Sequence, residues 1–259
     1  SKTNQSATEE NEGIISRVFR NLFSYNDDNF EVKISLLEIH KDNVNDLLNI
    51  NKKNNIIQNY SVKDITKLSV KDLNSSMEII QGGLLLRKVG KTSMNEESSR
   101  SHLVLTIYLR NKIKQQTSKF NIVDLAGSEK AGADYKNSSV SKEAFEEGSW
   151  INKSLMQLKL IIQRLVKGGN ISYNANSLTK ILKDSLGGNS YSLLIACADN
   201  KNSCYAQTLE TIMFANLAKS VKNNPFKLTT TVPDVCFDNF LMEELVMLRK
   251  FKKDYETNT

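Results

Sequence analysis

Asp124 and Gly127 carry the first chemical signal of this chain, within the run Asn121-Ile122-Val123-Asp124-Leu125-Ala126-Gly127-Ser128-Glu129. The apolar stretch from Phe120 to Leu125 reads as a buried strand that stops at a small polar turn. A carboxylate at the carboxyl end of such a strand sits where open α/β sheets bind ligands. There it can hold the water shell of a Mg2+ ion. Gly127 has no Cβ, so its backbone N–H can approach a terminal phosphate. The pattern gains force from a second polar stretch upstream, Asn95-Glu96-Glu97-Ser98-Ser99-Arg100-Ser101-His102, and a third downstream, Ile151-Asn152-Lys153-Ser154-Leu155.

The elements that must position these residues follow from periodicity. Ile14, Val18 and Leu22 recur at helical spacing, and Phe30 to Ile39 alternates as a strand. Asp42 to Leu48 reads as a helical turn or short helix, and 49–59 as an asparagine-rich loop. Asp72 to Leu86 reads as a helix with Ser75 or Ser76 near its cap. Leu103 to Leu109 is a strand whose expected antiparallel partner is Phe120 to Leu125. A polar loop runs to about Ser141. Ile151 to Val166 is an amphipathic helix with Ile151, Leu155, Leu158, Ile162 and Leu165 on its core face. Leu178 to Leu186 is a short helix ended by Gly187-Gly188. Ser192 to Ala198 reads as a buried strand, and Tyr205 to Val221 as a helix with Leu209, Met213 and Leu217 in register. Pro225 and Pro233 bracket a linker, and Phe240 to Tyr255 has heptad-like spacing.

With 259 residues, 39% hydrophobic and 25% charged, the chain is globular rather than disordered. A net charge of +6 points to an acidic partner: nucleic acid, an anionic membrane or an acidic protein filament. The three cysteines, Cys197, Cys204 and Cys236, have no metal-ligand spacing and read as reduced thiols of a cytosolic protein.

Taken together, the three polar stretches resemble the kinesin motor domain. Asn95–His102 is similar to kinesin switch I, Asp124–Glu129 to switch II, and Ile151–Leu155 to the start of the switch II helix. Asp184-Ser185-Leu186-Gly187-Gly188-Asn189 and Phe214-Ala215-Asn216-Leu217-Ala218-Lys219 extend the resemblance to about residue 224. It implies an α/β, kinesin-like P-loop NTPase sandwich with a central, mostly parallel sheet flanked by helices. It also implies hydrolysis of ATP with Mg2+ and binding to microtubules. Residues 1–224 would be the motor domain, 225–239 the neck linker and 240–259 the start of a neck helix leading to a homodimeric coiled coil. The location implied is the cytoplasm and cytoskeleton, including spindle or kinetochore. The resemblance selects a tubulin filament over nucleic acid or membrane.

By the same resemblance, Ser99 and Asp124 serve Mg2+, the Gly127 N–H senses the γ-phosphate, and Arg100 and Glu129 bridge the two switches. Asn95, Ser98 and Asn152 orient the attacking water. His102 reads as a satisfied structural histidine with no proton-transfer role. Ser1-Lys2-Thr3 lies at the right distance before Gly13-Ile14-Ile15 to be the end of the P-loop, with Lys2 on phosphate and Thr3 on the metal; the alternative is an unrelated leading tail. Ser1 stands where the family has glycine. On the P-loop reading the chain is expected to be a piece of a longer protein, or to be complemented by one, because a sheet lacking central strands leaves backbone groups unpaired.

An acidic filament requires basic residues around the switch II helix. Lys153, Lys159, Arg164, Lys167, Lys180 and Lys183 are the candidates. Between Tyr173 and Leu178 the family usually has an arginine and a lysine, whereas this chain has Asn174-Ala175-Asn176-Ser177. Glu147-Gly148 and Asn224-Pro225-Phe226 resemble the kinesin-7, or centromere protein E, branch, and motor motifs that precede the neck imply plus-end movement. The expectation is an ATP-driven motor; the alternative is a kinesin-like tether with weak or no ATPase. A P-loop GTPase or myosin-like ATPase shares the Asp-x-x-Gly logic but not the Ser-Ser-Arg-Ser-His or Ile-Asn-Lys-Ser-Leu motifs.

Overall fold

Strand β1 (Phe30–His40) organises the fold, because both of its faces are buried. Val32, Ile34 and Leu36 point to one side of the sheet and Leu37 and Ile39 to the other, as a two-residue period requires. The computed structural model describes residues 12–25, 28–49, 57–58, 60–89, 100–114, 116–127, 142–199 and 201–226.

Strand β1 turns back into β2 (Asn43–Asp46) through Lys41 and Asp42, which have φ of 49° and 67°. Left-handed values at both central residues make a two-residue turn whose twist matches the strands it joins. The short helix expected over Asp42 to Leu48 is therefore corrected to a hairpin strand: Val44 is only 2% exposed, buried on the sheet face that packs on the later helices. A small ladder, β3 (Ile57–Gln58) with β4 (Ser61–Val62), precedes β5 (Leu68–Val70), which pairs with the first half of β1. Helix α1 (Ile14–Ser24) and helix α2 (Leu73–Val89) cover one sheet face with Val18, Phe19 and Ile80. Asp72 caps α2, accepting 2.7 Å from the Ser75 N–H.

On its other edge β1 pairs with β6 (His102–Asn111), and β6 with β7 (Gln116–Asp124). The Asn111 side chain closes the β6–β7 turn by accepting from the Ile113 and Lys114 N–H groups. Helices α3 (Lys142–Lys167), α4 (Ser177–Ile181) and α5 (Tyr205–Ala218) cover the second face. Their contributions include Leu158, Ile162, Leu178 and Phe214, packed on Leu37, Ile39 and Val104. The α/β sandwich with helices on a central sheet is thus as expected.

Other expectations are corrected. The sheet is not mostly parallel: among the described residues every strand pairing is antiparallel. Ser192 to Ala198, read as a buried strand, belongs to no ladder among the described residues, and Leu193, Leu194 and Ile195 are 40%, 43% and 47% exposed. Its composition suits a core strand, but a strand also needs a hydrogen-bonding partner, and none of the described strands pairs with it. Likewise Leu209 and Met213 of α5 are exposed at 43% and 62%, while Phe214 and Leu217 meet the core. Helix α3 begins well before Ile151, in keeping with the helix-forming Glu and Ala residues that precede it. The loop to Ser141, the linker beyond Phe226 and the heptad-like segment lie outside the described residues.

Candidate active site

The β6–β7 register builds the site. Leu103 stands opposite Asp124, so the end of the Asn95–His102 stretch meets the end of the strand carrying Asp124. Asp124 closes β7 with an exposed side chain, and the turn Leu125-Ala126-Gly127 follows. Ala126 is buried at 4% exposure, which holds the turn against the protein just before Gly127.

His102 connects the pieces. Its Nδ1 accepts 2.9 Å from the Ala126 N–H, and its Nε2 lies 2.8 Å from Ser154 Oγ. Ser154 Oγ also donates to the Ile151 carbonyl at 2.8 Å. Burial, with a smaller contribution from the Arg87 charge, lowers the His102 pKa from 6.5 to about 4. The neutral ring with hydrogen on Nε2 satisfies both contacts. The downstream motif is carried into this arrangement by α3, whose Leu158, Ile161 and Ile162 are buried while Asn152 and Lys153 remain exposed.

Behind Arg100, Ser101 is locked into the core. Its Oγ donates 2.8 Å to Glu38 of β1, and the Arg87 guanidinium of α2 bonds to both Ser101 Oγ and Ser101 O, at 2.8 and 2.9 Å. Glu38 and Arg87 approach to 3.4 Å. The residues just after the Ser-Ser-Arg triplet are therefore tied to two elements of the opposite sheet face. Sequence reading missed this cluster and gave His102 only a structural part. Arg87 and Glu38 sit outside the motifs, whereas Ser154 lay inside the Ile-Asn-Lys-Ser-Leu match and was the available signal.

The basic residues divide by location. Lys153, Lys159, Arg164 and Lys167 lie exposed on α3. Lys180 and Lys183 are half-buried in and beyond α4, and the Lys183 ammonium stands 3.7 Å from the centre of the Tyr60 ring. The tip of the β1–β2 hairpin holds the start of α4, with the Ser177 N–H and hydroxyl both bonded to Asp42. Asn174 and Ala175 are exposed beside it with no charge. Arg100, His102, Lys153 and Asn176 line a small cavity between these elements.

Asp124 supplies one hard carboxylate donor, and among the described residues no group of three or more His, Cys, Asp or Glu could cage a metal. The single Asp124 carboxylate is the kind of donor that suits Mg2+, which commonly keeps water and phosphate oxygens beside one or two carboxylates. Lys2, Thr3, Asn95, Ser98, Ser99 and Glu129 lie outside the described residues.

A family model of the kinesin motor domain matches residues 2–221. The chain belongs to the kinesin motor family. It is 34% identical to kinesin-like protein KIN-12D of Arabidopsis thaliana over 93% of this chain and 10% of that protein. It is 33% identical to the chromosome-associated kinesin KIF4A of Homo sapiens, over 94% of this chain and 21% of the relative. A solved structure described as that of a fast kinesin superposes with a TM-score of 0.75 at 31% identity, covering 90% of this chain and 69% of that one. This kinesin chain therefore spans a small part of those two curated relatives. No described helix of the motor domain is long and apolar enough to cross a membrane.

Proposed function

We propose that this chain, residues 1–224, is the force-generating part of an ATP-driven, plus-end-directed microtubule motor. The observation that carries the reading is the meeting of the three motifs at His102, between the Ala126 turn and Ser154 of α3. Asp124 would hold Mg2+ through its water shell, together with Ser99 and Thr3, and Lys2 would contact phosphate. Bound Mg2+ would neutralise charge on the β- and γ-phosphates of ATP. The Gly127 N–H would meet the γ-phosphate, the Arg100–Glu129 pair would close the switches, and Asn95, Ser98 and Asn152 would orient the attacking water. The exposed cations of α3, Lys153, Lys159, Arg164 and Lys167, with Lys180 and Lys183 near α4, would face the acidic filament. Residues 225–259 would carry the linker and the start of a dimerising coiled coil. The spindle or kinetochore and the kinesin-7 branch complete this reading.

Microtubule-stimulated ATPase of the full-length protein tests it. Glu129→Ala should abolish hydrolysis while leaving ATP binding intact, and unchanged turnover would remove Glu129 from the mechanism. A second reading, a microtubule tether with weak or no ATPase, draws on the exposed but uncharged Asn174-Ala175 pair beside α4 and on Ser1 in place of glycine. Co-sedimentation with microtubules without stimulated turnover would favour the tether.

A further inference from the structure

We infer that His102 is a positioning residue that transmits movement of the Ala126–Gly127 turn to helix α3 through Ser154. This rests on the motor reading and adds a specific path to it.

The path is a single file of hydrogen bonds. The Ala126 N–H donates to His102 Nδ1 at 2.9 Å, His102 Nε2–H donates to Ser154 Oγ at 2.8 Å, and the Ser154 hydroxyl donates to the Ile151 carbonyl at 2.8 Å. Each donor is used once and all point the same way, the arrangement in which neighbouring bonds polarise and strengthen one another. The file begins one residue before Gly127 and ends one residue before Asn152. It therefore joins the turn meant for the γ-phosphate to the amide meant for the attacking water.

Three observations make the file a coupling rather than a static brace. His102 is 3% exposed and Ala126 4%, so water does not readily replace either partner. His102 opens β6, a strand paired on both sides, by β1 and by β7, so its backbone is held by the sheet and the imidazole is the part left to follow the turn. The preceding residue, Ser101, is held by Glu38 and Arg87, which anchors the backbone at the ring from the opposite side. A displacement of the Ala126 turn must then either break a buried bond or be passed through the imidazole to α3. Because α3 carries Lys153, Arg164 and Lys167 on its exposed side, the output lies on the face proposed for the filament.

The two limbs separate chemically. His102→Asn places an amide oxygen near the position of Nδ1, keeping the acceptor for Ala126, but is too short to reach Ser154. Ser154→Ala removes the α3 limb alone. Ser154→Thr keeps the hydroxyl. Trp150, the single tryptophan of the sequence, lies one turn before Ser154 on α3 and is partly exposed, so its fluorescence reports the helix.

The experiment compares Trp150 fluorescence of the full-length protein, with any tryptophan outside this sequence replaced by phenylalanine, in Mg·ADP and in a Mg-bound non-hydrolysable ATP analogue, alongside nucleotide affinity. The expected result is a nucleotide-dependent change in the wild type that shrinks at least about fivefold in His102→Asn and in Ser154→Ala. Affinity should stay within about threefold, below one hydrogen bond to a charged group. The double variant should be no worse than either single one, and Ser154→Thr should restore the signal. A wild-type-sized change in both single variants, additive effects, or loss of signal only together with loss of nucleotide binding would overturn the proposal. Wild-type nucleotide binding without any Trp150 change also overturns it, leaving the motor reading standing. A wild type that binds no nucleotide sinks the motor reading and, with it, the coupling.

Discussion

Ser101 Oγ donates a 2.8 Å hydrogen bond to the Glu38 carboxylate, joining the residue after Arg100 to the carboxyl end of strand β1. Glu38 is 4% exposed, and Arg87 closes the cluster from α2. Glu38→Ala would leave the largely buried Arg87 charge without this carboxylate and the Ser101 hydroxyl without its acceptor. It should destabilise the fold by about 3–5 kcal/mol, the usual result of breaking one half of a buried ion pair. Glu38→Leu with Arg87→Met should recover much of that loss, and urea unfolding midpoints read both values.

Acid should weaken the fold through His102. Its folded pKa is about 4, below the 6.5 of a free imidazole. Above pH 6.5 the ring is neutral in both states and contributes no pH dependence. As pH falls from 6.5 towards 4 the unfolded chain takes up a proton that the folded chain refuses, so stability is lost across that window. It levels off below about 4, where both states are protonated. The full loss is about 3 kcal/mol, at about 1.4 kcal/mol per unit. His102→Asn should flatten the slope between pH 6.5 and 5, measured by chemical denaturation at each pH.

Gly187 should not accept a side chain. It has φ of +77°, and a Cβ there would run into Leu165 of α3. Gly187→Ala combines left-handed strain with a packing clash and should cost about 2–4 kcal/mol. The drop in thermal midpoint checks it, with Gly168→Ala as the comparison: its φ is +84°, but a Cβ there meets open space.

Asn223 holds the chain after α5 onto the Gly-Gly turn. Its Oδ1 accepts from the Gly187 N–H, and its Nδ2 donates to the carbonyls of Ser185 and Ser190. Asn223→Ala should cost about 1–2 kcal/mol. It should also speed hydrogen exchange at Asn224 and Phe226, whose N–H groups bond to Gly188 O and Asn189 Oδ1. Unchanged exchange at those amides would show that Asn223 is not the clasp.

The apolar side chains of Leu193, Leu194, Ile195, Ile212 and Met213 should bind a hydrophobic dye when this chain is studied alone, because all five are at least 40% exposed. Ile195→Lys together with Ile212→Lys should lower dye fluorescence and concentration-dependent light scattering. A wild-type chain that is silent in both assays would show these segments to be covered in solution.

Local pattern alone determined a great deal. The alternation of Val32, Ile34 and Leu36 announced a strand, and Leu158 and Ile162 announced the core face of α3, because burial repeats with the period of each element; that Leu37 and Ile39 bury the second face of β1 came from the packing. The three polar motifs were equally legible, since their residue types and order are themselves the signal. The tertiary structure decided what local pattern does not carry. His102 became a link only when the register placed Leu103 opposite Asp124 and α3 brought Ser154 to the ring. Glu38, Arg87 and Ser101 met across a strand, a helix and a motif end. The same limit explains Ser192 to Ala198. Its apolar composition says that the segment suits a core, but burial belongs to what packs against it, and a strand exists only where a neighbour supplies hydrogen bonds.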